Sequence, residues 1–205
     1  MYKNPQFEEK DTKKLVAFMQ GHSFVTLIGY DGDYPVATQI PVKIEQREGK
    51  VYLVGHVMKK TDHHQAYAKN ENVLALFTGA HAYISASVYQ DPAVASTWNY
   101  SSVQAKGKIK LLNDAETREI IKELTNRYEH PETSKAAFHH MSEEYIDKNL
   151  KAISGFEISV QSMTGVFKLS QNHLAVNRTS IIEHLSTSDD TNGQQVAEDM
   201  KSVLP

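Results

Sequence analysis

A strand-like run ending in Gly55-His56-Val57-Met58 is followed at once by Lys59, Lys60 and Thr61, where a helix begins. The first amides of a helix have no partner within it, and Thr is a good N-cap. Two ammonium groups, a hydroxyl and free N–H donors could therefore meet at one point, as a monophosphate pocket requires. The same residues also describe a capped helix with two solvated lysines, and taken alone they favour that simpler reading. A second chemical stretch runs from Phe77 to Tyr100, with Tyr83, Tyr89, Trp98 and Tyr100 set among Ser85, Ser87, Thr97 and Asn99. Aromatics among small polar groups suit a slot for a flat heteroaromatic ring, or the core of a small barrel, or a subunit interface.

Other chemistries find less support. The histidine pairs His63-His64 and His139-His140 invite a metal reading, but neighbours on a helix point about 100° apart and the i, i+4 spacing is absent. Hydrogen-bonded or solvated histidines are the simpler account, and no metal site is expected. There is no G-x-S-x-G nucleophile elbow, no P-loop and no G-x-G-x-x-G opening a helix.

The elements that must position these residues can be read from hydrophobic period. Asp11 or Thr12 caps a helix carrying Leu15, Val16, Phe18 and Met19, ended by Gly21. His22 to Tyr30 reads as a strand, Asp31-Gly32-Asp33 as a hairpin turn, and Tyr34 to Glu45 as one strand kept to an edge or bulged by Pro35 and Pro41. Glu48-Gly49 turns the chain into a strand over Lys50 to Val57, so three strands form a meander. A helix from Thr61 to about Asn70, short strands at Val73 to Phe77 and Tyr83 to Tyr89, and a long strand from Trp98 to Leu111 with a bend at Gly107 follow. Asp114 is expected to cap a helix with Ile120, Ile121, Leu124 and Tyr128 on one stripe, with helical pieces at Glu132 to His139 and Ser142 to Leu150. A strand through Phe156, Ile158 and Val160 comes last, and Ser186 to Gln195 reads as a linker, with no second core.

Composition limits the function further. The chain has 205 residues, 22 Lys and Arg against 25 Asp and Glu, and no cysteine. A formal charge of −3 gives no field to draw a polyanion, so nucleic-acid binding would need a local patch. Disulfides, thiolate metal sites and cysteine nucleophiles are excluded. No apolar run is long enough to span a membrane, and a soluble, cytoplasmic protein is expected.

Three segments, Phe77-Thr78-Gly79-Ala80-His81-Ala82-Tyr83-Ile84-Ser85, Thr97-Trp98-Asn99-Tyr100 and Lys168-Leu169-Ser170-Gln171-Asn172, agree in order and spacing with one family. With the start Met1-Tyr2, the chain to about Arg178 resembles the PaiB family of FMN-binding negative transcriptional regulators. The resemblance implies a mixed α+β fold, an antiparallel split β-barrel of the pyridoxamine-phosphate-oxidase and flavin-reductase kind with peripheral helices. It further implies a homodimer with FMN at the subunit interface. The flavin ring is then expected along Ala37-Thr38-Gln39-Ile40-Pro41, and its phosphate near His56, Lys59, Lys60 and Thr61. Ser85, Trp98 and Asn99 are candidates for the opposite wall. The sequence departs from the family at Val57 to His64, where relatives often carry Leu-Ala and then Asn-Pro-x-Trp, and again at Val88-Tyr89 and Val166.

The expected organisation is a flavin-binding domain over 1–178, with a helical insertion at about 114–150, and a polar tail over 179–205 that is partly helical or mobile. The expected function is a regulator or repressor that binds FMN as a homodimer, with DNA or a regulatory protein as a further partner. The best helix mixes Arg118, Lys122 and Arg127 with Glu116, Glu119, Glu123 and Glu129, which argues against direct DNA contact through it. Two other functions fit the residues. One is an FMN-dependent oxidoreductase drawing on a nicotinamide donor, with His56, His81 and Tyr83 the first groups to test. The other is a flavin-free interaction module on the same barrel.

Overall fold

A computed structural model describes residue 2 and residues 4–203. Met1 of the family-like start, Lys3, and Leu204 and Pro205 of the expected tail lie outside the described residues. Hydrophobic period and turn chemistry produce eight strands and six helices among the described residues. Their contacts divide into two compact units. Among the described residues, the first is drawn from the ranges 1–15, 78–104 and 164–205, and the second from 16–77 and 105–163. The strand order is β3 (Pro35–Pro41), β2 (Phe24–Tyr30), β6 (Asn72–Ile84), β7 (Thr97–Leu111), β8 (Ile153–Lys168), β5 (Lys50–Met58) and β4 (Lys43–Arg47), with β1 (Glu8–Glu9) on β8, and the pairs β1·β8, β2·β3, β2·β6, β4·β5 and β5·β8 are antiparallel.

The second unit contains most of α1 (Thr12–Gly21), then β2 (Phe24–Tyr30), β3 (Pro35–Pro41), β4 (Lys43–Arg47) and β5 (Lys50–Met58). Gly32, at φ 118°, and the Asp31 carboxylate, which accepts from the amides of Asp33 and Tyr34, make the β2–β3 hairpin. The single strand expected over Tyr34 to Glu45 divides at Val42. Val42 is fully buried, and its amide donates to the Ser23 carbonyl. β3 pairs with β2 and β4 pairs with β5, so the two halves stand at opposite ends of the strand order and the three-strand meander does not form. Pro35 and Pro41, at the two ends of β3, lack N–H groups, which favours an edge position for this strand. Glu48 and Gly49, both at positive φ, turn β4 into β5.

Thr61 caps α2 (Asp62–Lys69), as the sequence implies, and the Tyr67 ring lies against Gly29, where a Cβ would meet it at 2.6 Å. β6 (Asn72–Ile84) is one strand through Thr78-Gly79, joining two segments expected to be separate, and Ala86–Val88 is a short 3₁₀ turn. β7 spans Thr97–Leu111. Its Gly107 meets β8 (Ile153–Lys168) at the Ser159 carbonyl, so this glycine serves close strand approach. The N-cap of α3 (Asp114–Tyr128) is Asn113 rather than Asp114, in a reciprocal capping box with Glu116. The expected 132–139 piece is helical only at its end, where a 3₁₀ turn runs Phe138–His140, and α4 runs Glu143–Leu150 from its Ser142 cap. Val54 packs with Ile120 and Leu124 of α3 on one face of β5, while Leu53 is fully buried in the adjacent alternate position.

The first unit has a core of its own, contrary to the expectation of none. It combines Ala82 and Ile84 of β6 with Tyr89 and Leu169, and with residues of α5 (Ala175–Ser186) and α6 (Thr191–Ser202). Ile181, Val196 and Ala197 are fully buried there, so the polar 186–195 run is a helix end, a short turn and a new helix, not a linker. The spaced apolar residues of α6 were hidden by their polar neighbours. Gly107→Ala is expected to cost about 1–3 kcal/mol, the range for overpacking a close contact, read as a lower thermal midpoint with secondary structure retained by circular dichroism.

Candidate functional site

β3 pairs with β2 and ends the strand order, so the alternate backbone groups along Val36 to Ile40 that point away from β2 form an open edge. Thr38, opposite Leu27, is half-buried, and Gln39, opposite Thr26, is exposed. A planar heterocycle with hydrogen-bonding edges can meet such a strand as another strand would. The C-terminal end of β3 comes close to β5. A Cβ on Gly55 would stand 3.0 Å from the Pro41 carbonyl and 2.8 Å from the Phe156 ring, so only glycine allows this approach.

His56 follows Gly55 and pairs with Gly155 of β8. Its Nδ1 is buried without a hydrogen-bond partner, and burial pushes the imidazole below its ordinary pKa of 6.5. A buried polar atom left unpaired is costly, and a ligand that paired it would recover that cost.

The lysine–threonine segment is arranged unequally. Lys59 Nζ donates to the Asp114 carboxylate at 3.0 Å and to the Leu150 carbonyl at 2.9 Å, which ties the end of β5 to α3 and α4. Thr61 donates its hydroxyl to the Met58 carbonyl at 2.9 Å and accepts from the His64 amide at 3.3 Å. The Asp62 carboxylate accepts from the His63 amide, so the first turn of α2 is already capped and carries a negative charge. Lys60 is exposed and at φ 69°, and its ammonium group meets no carboxylate among the described residues. The partners Asp114 and Leu150 were invisible in the sequence because they lie 55 and 91 positions away.

The first-unit candidates divide as well. Trp98 is 53% exposed, with the Tyr83 ring at 5.7 Å and the His81 ring at 6.0 Å, and these residues form an aromatic surface. Asn99 is fully buried and exchanges hydrogen bonds with Ser170, its Nδ2 donating at 3.0 Å and its Oδ1 accepting at 3.1 Å. Its amide therefore holds Ser170, which sits at φ 61°, rather than facing a surface. Ser85 is half-buried and caps the 3₁₀ turn through the Ser87 amide. Among the described residues no three His, Asp or Glu side chains are placed to hold a metal ion, and no helix is long and apolar enough to cross a membrane.

An antiparallel sheet ended by an open strand, with a glycine-permitted approach to an unpaired histidine, fits a flavin-binding split barrel. The chain belongs to the family described as "Putative FMN-binding domain", which matches residues 1–162, and FMN is the cofactor of that family. It is 30% identical over 204 residues to "Protease synthase and sporulation protein PAI 2" of Bacillus subtilis, covering 100% of this chain and 98% of that protein. An uncharacterised protein of Aspergillus fumigatus is 29% identical over 172 residues, 71% of this chain and 66% of its own. The fold resembles the flavocytochrome Anf3 of Azotobacter vinelandii, with a TM-score of 0.62 at 13% identity, over 82% of this chain and 72% of that one. It also resembles an FAD and heme binding protein of Mycobacterium smegmatis, with a TM-score of 0.59 at 16% identity, over 78% and 73%. The split-barrel fold and the flavin cofactor implied by the sequence motifs thus stand.

Two outcomes are expected. Gly55→Ala forces β5 away from Pro41 and Phe156, so it should weaken FMN in a fluorescence titration and lower the thermal midpoint. The unfolded chain also binds a proton near pH 6.5 that buried His56 resists. The stability tied to His56 is thus whole above about 6.5 and lost as pH falls below it towards the depressed folded value. Melting between pH 7.5 and 5 should show a falling midpoint, with part of the slope removed in His56→Phe.

Proposed function

We propose that this chain is an FMN-binding regulator of the PaiB type that works as a homodimer. The observation that carries the reading is the match to the Bacillus subtilis protein over the whole length of both chains, whose name joins it to protease synthase and sporulation. The isoalloxazine edge is assigned to the backbone of Val36 to Ile40 with Thr38 and Gln39, and His56 lies beside it. The phosphate is assigned to Lys60, with Lys59 and Thr61 fixing the turn that presents it. Bound FMN would supply redox or light-absorbing capacity. The residues around it bind and orient the ring, and keep a neutral imidazole against it.

The partner subunit is assigned to the exposed aromatic surface of Tyr83 and Trp98, where large apolar rings favour burial. Regulation is assigned to a protein partner rather than to direct reading of DNA by α3. The charges of α3 favour this: Arg118 pairs with Glu143, Lys122 with Glu119, and Lys43 of β4 with Glu123. With Arg118 and Lys122 paired to acids and Arg127 the third cation, α3 presents no basic stripe to a phosphate backbone.

Lys60→Ala should weaken FMN by about tenfold or more, because a charge-assisted contact is worth on the order of 1.5–3 kcal/mol. Flavin fluorescence titration measures this, and unchanged affinity removes Lys60 from the site. Light scattering should give twice the chain mass. Fluorescence anisotropy with duplex DNA should give weak binding with a shallow salt slope, while tight, steeply salt-dependent binding would restore direct DNA contact.

A further inference from the structure

The first unit contains a cavity of about 260 Å³ that the flavin reading does not use. Its lining includes Phe7, Ser96, Thr97, Lys168, Asn172 and His173, and none of its described lining residues is a carboxylate. Lys168 ends β8, and its ammonium group donates to Thr97 Oγ1 at 2.5 Å and to the Trp98 carbonyl at 2.6 Å. Both acceptors are neutral, so among the described residues the positive charge has no counter-ion and one of its three N–H donors remains. This sets Lys168 apart. Among the described lysines that are half-buried, Lys43, Lys59 and Lys108 each reach a carboxylate, and Lys168 reaches none.

Two further features fit an anion. Burial and the nearby Lys168 charge both push His173 below its ordinary pKa, leaving a neutral imidazole able to donate a hydrogen bond. Burial also lowers the Lys168 pKa, as expected of a cation held without its partner. The Phe7 ring, with its centroid 5.7 Å from Lys168 Nζ, adds an apolar wall. Behind His173, at 4.8 Å between ring centroids, stands Tyr89, whose hydroxyl is buried and unpaired.

We propose that this cavity binds a small organic carboxylate, with its charge on Lys168, its oxygens shared among the surrounding neutral donors, and its apolar part against Phe7. One lysine with neutral donors matches a single negative charge, whereas a dianionic phosphate calls for several cations or a bidentate guanidinium. The volume lies below the ~300–1,000 Å³ range of drug-sized sites, so the ligand is small. The site is distinct from the flavin site and does not depend on it.

Calorimetric titration of the full chain saturated with FMN tests this with three probes: benzoate, benzamide and inorganic phosphate. Benzoate should bind, benzamide at least about tenfold more weakly, and phosphate not measurably. Lys168→Met should abolish benzoate binding while the FMN titration stays as in the unaltered chain. Asn172→Phe, at an exposed turn on the cavity wall, should weaken benzoate without touching the lysine. Equal binding of benzoate and benzamide, benzoate binding undiminished in Lys168→Met, or binding of none of the probes would overturn the site. Phosphate binding that depends on Lys168 would overturn the carboxylate assignment. Benzoate binding to the flavin-free chain that FMN abolishes would make the cavity part of the flavin site, and so overturn its independence.

Discussion

Pro35 and Pro41 cannot donate backbone hydrogen bonds, and the arrangement of the second unit depends on that constraint. Because β3 accepts one neighbour, the sheet ends there, and the chain must leave it at Val42 to continue as β4. Val42 becomes a buried pivot, β4 joins β5 at the other end of the strand order, and β3 keeps an open edge. An open edge is a liability in a soluble protein unless something covers it. The proposed flavin ring would cover this edge with a flat surface whose hydrogen-bonding pattern is fixed, and would give the prolines a functional as well as a topological consequence.

The approach of β3 to β5 adds a second constraint. Gly55 lets the Pro41 carbonyl and the Phe156 ring close in, which places His56 beside the β3 terminus with one nitrogen buried and unpaired. Lys59 is then spent on holding the turn to Asp114 and Leu150, and the proposed phosphate contact falls to Lys60. Adjacent lysines thus differ: Lys59 is half-buried and paired, while Lys60 is exposed at a positive φ.

Much of this was legible in the residues. Period and turn chemistry gave α1, β2, the hairpins at Gly32 and Gly49, the Thr61 cap and α3, since each rests on interactions within a few positions. The motifs at Phe77, Thr97 and Lys168 pointed to the family and so to its cofactor. What stayed hidden was set at long range. The division of Tyr34 to Glu45 depends on which strand each half finds, the burial of Asn99 depends on Ser170, and the packing of α5 and α6 depends on a core that their polar composition masks. The Lys168 cavity was hidden for the same reason, because Phe7, Thr97 and Lys168 meet only when the first unit folds.

Amide hydrogen exchange along β3 measures the flavin assignment most directly. Val36 to Ile40 carry the strand's amides, and those pointing away from β2 should exchange quickly in the flavin-free chain and slow markedly when FMN is bound. Exchange along β3 that is unchanged at full flavin occupancy would contradict the account and move the ring elsewhere.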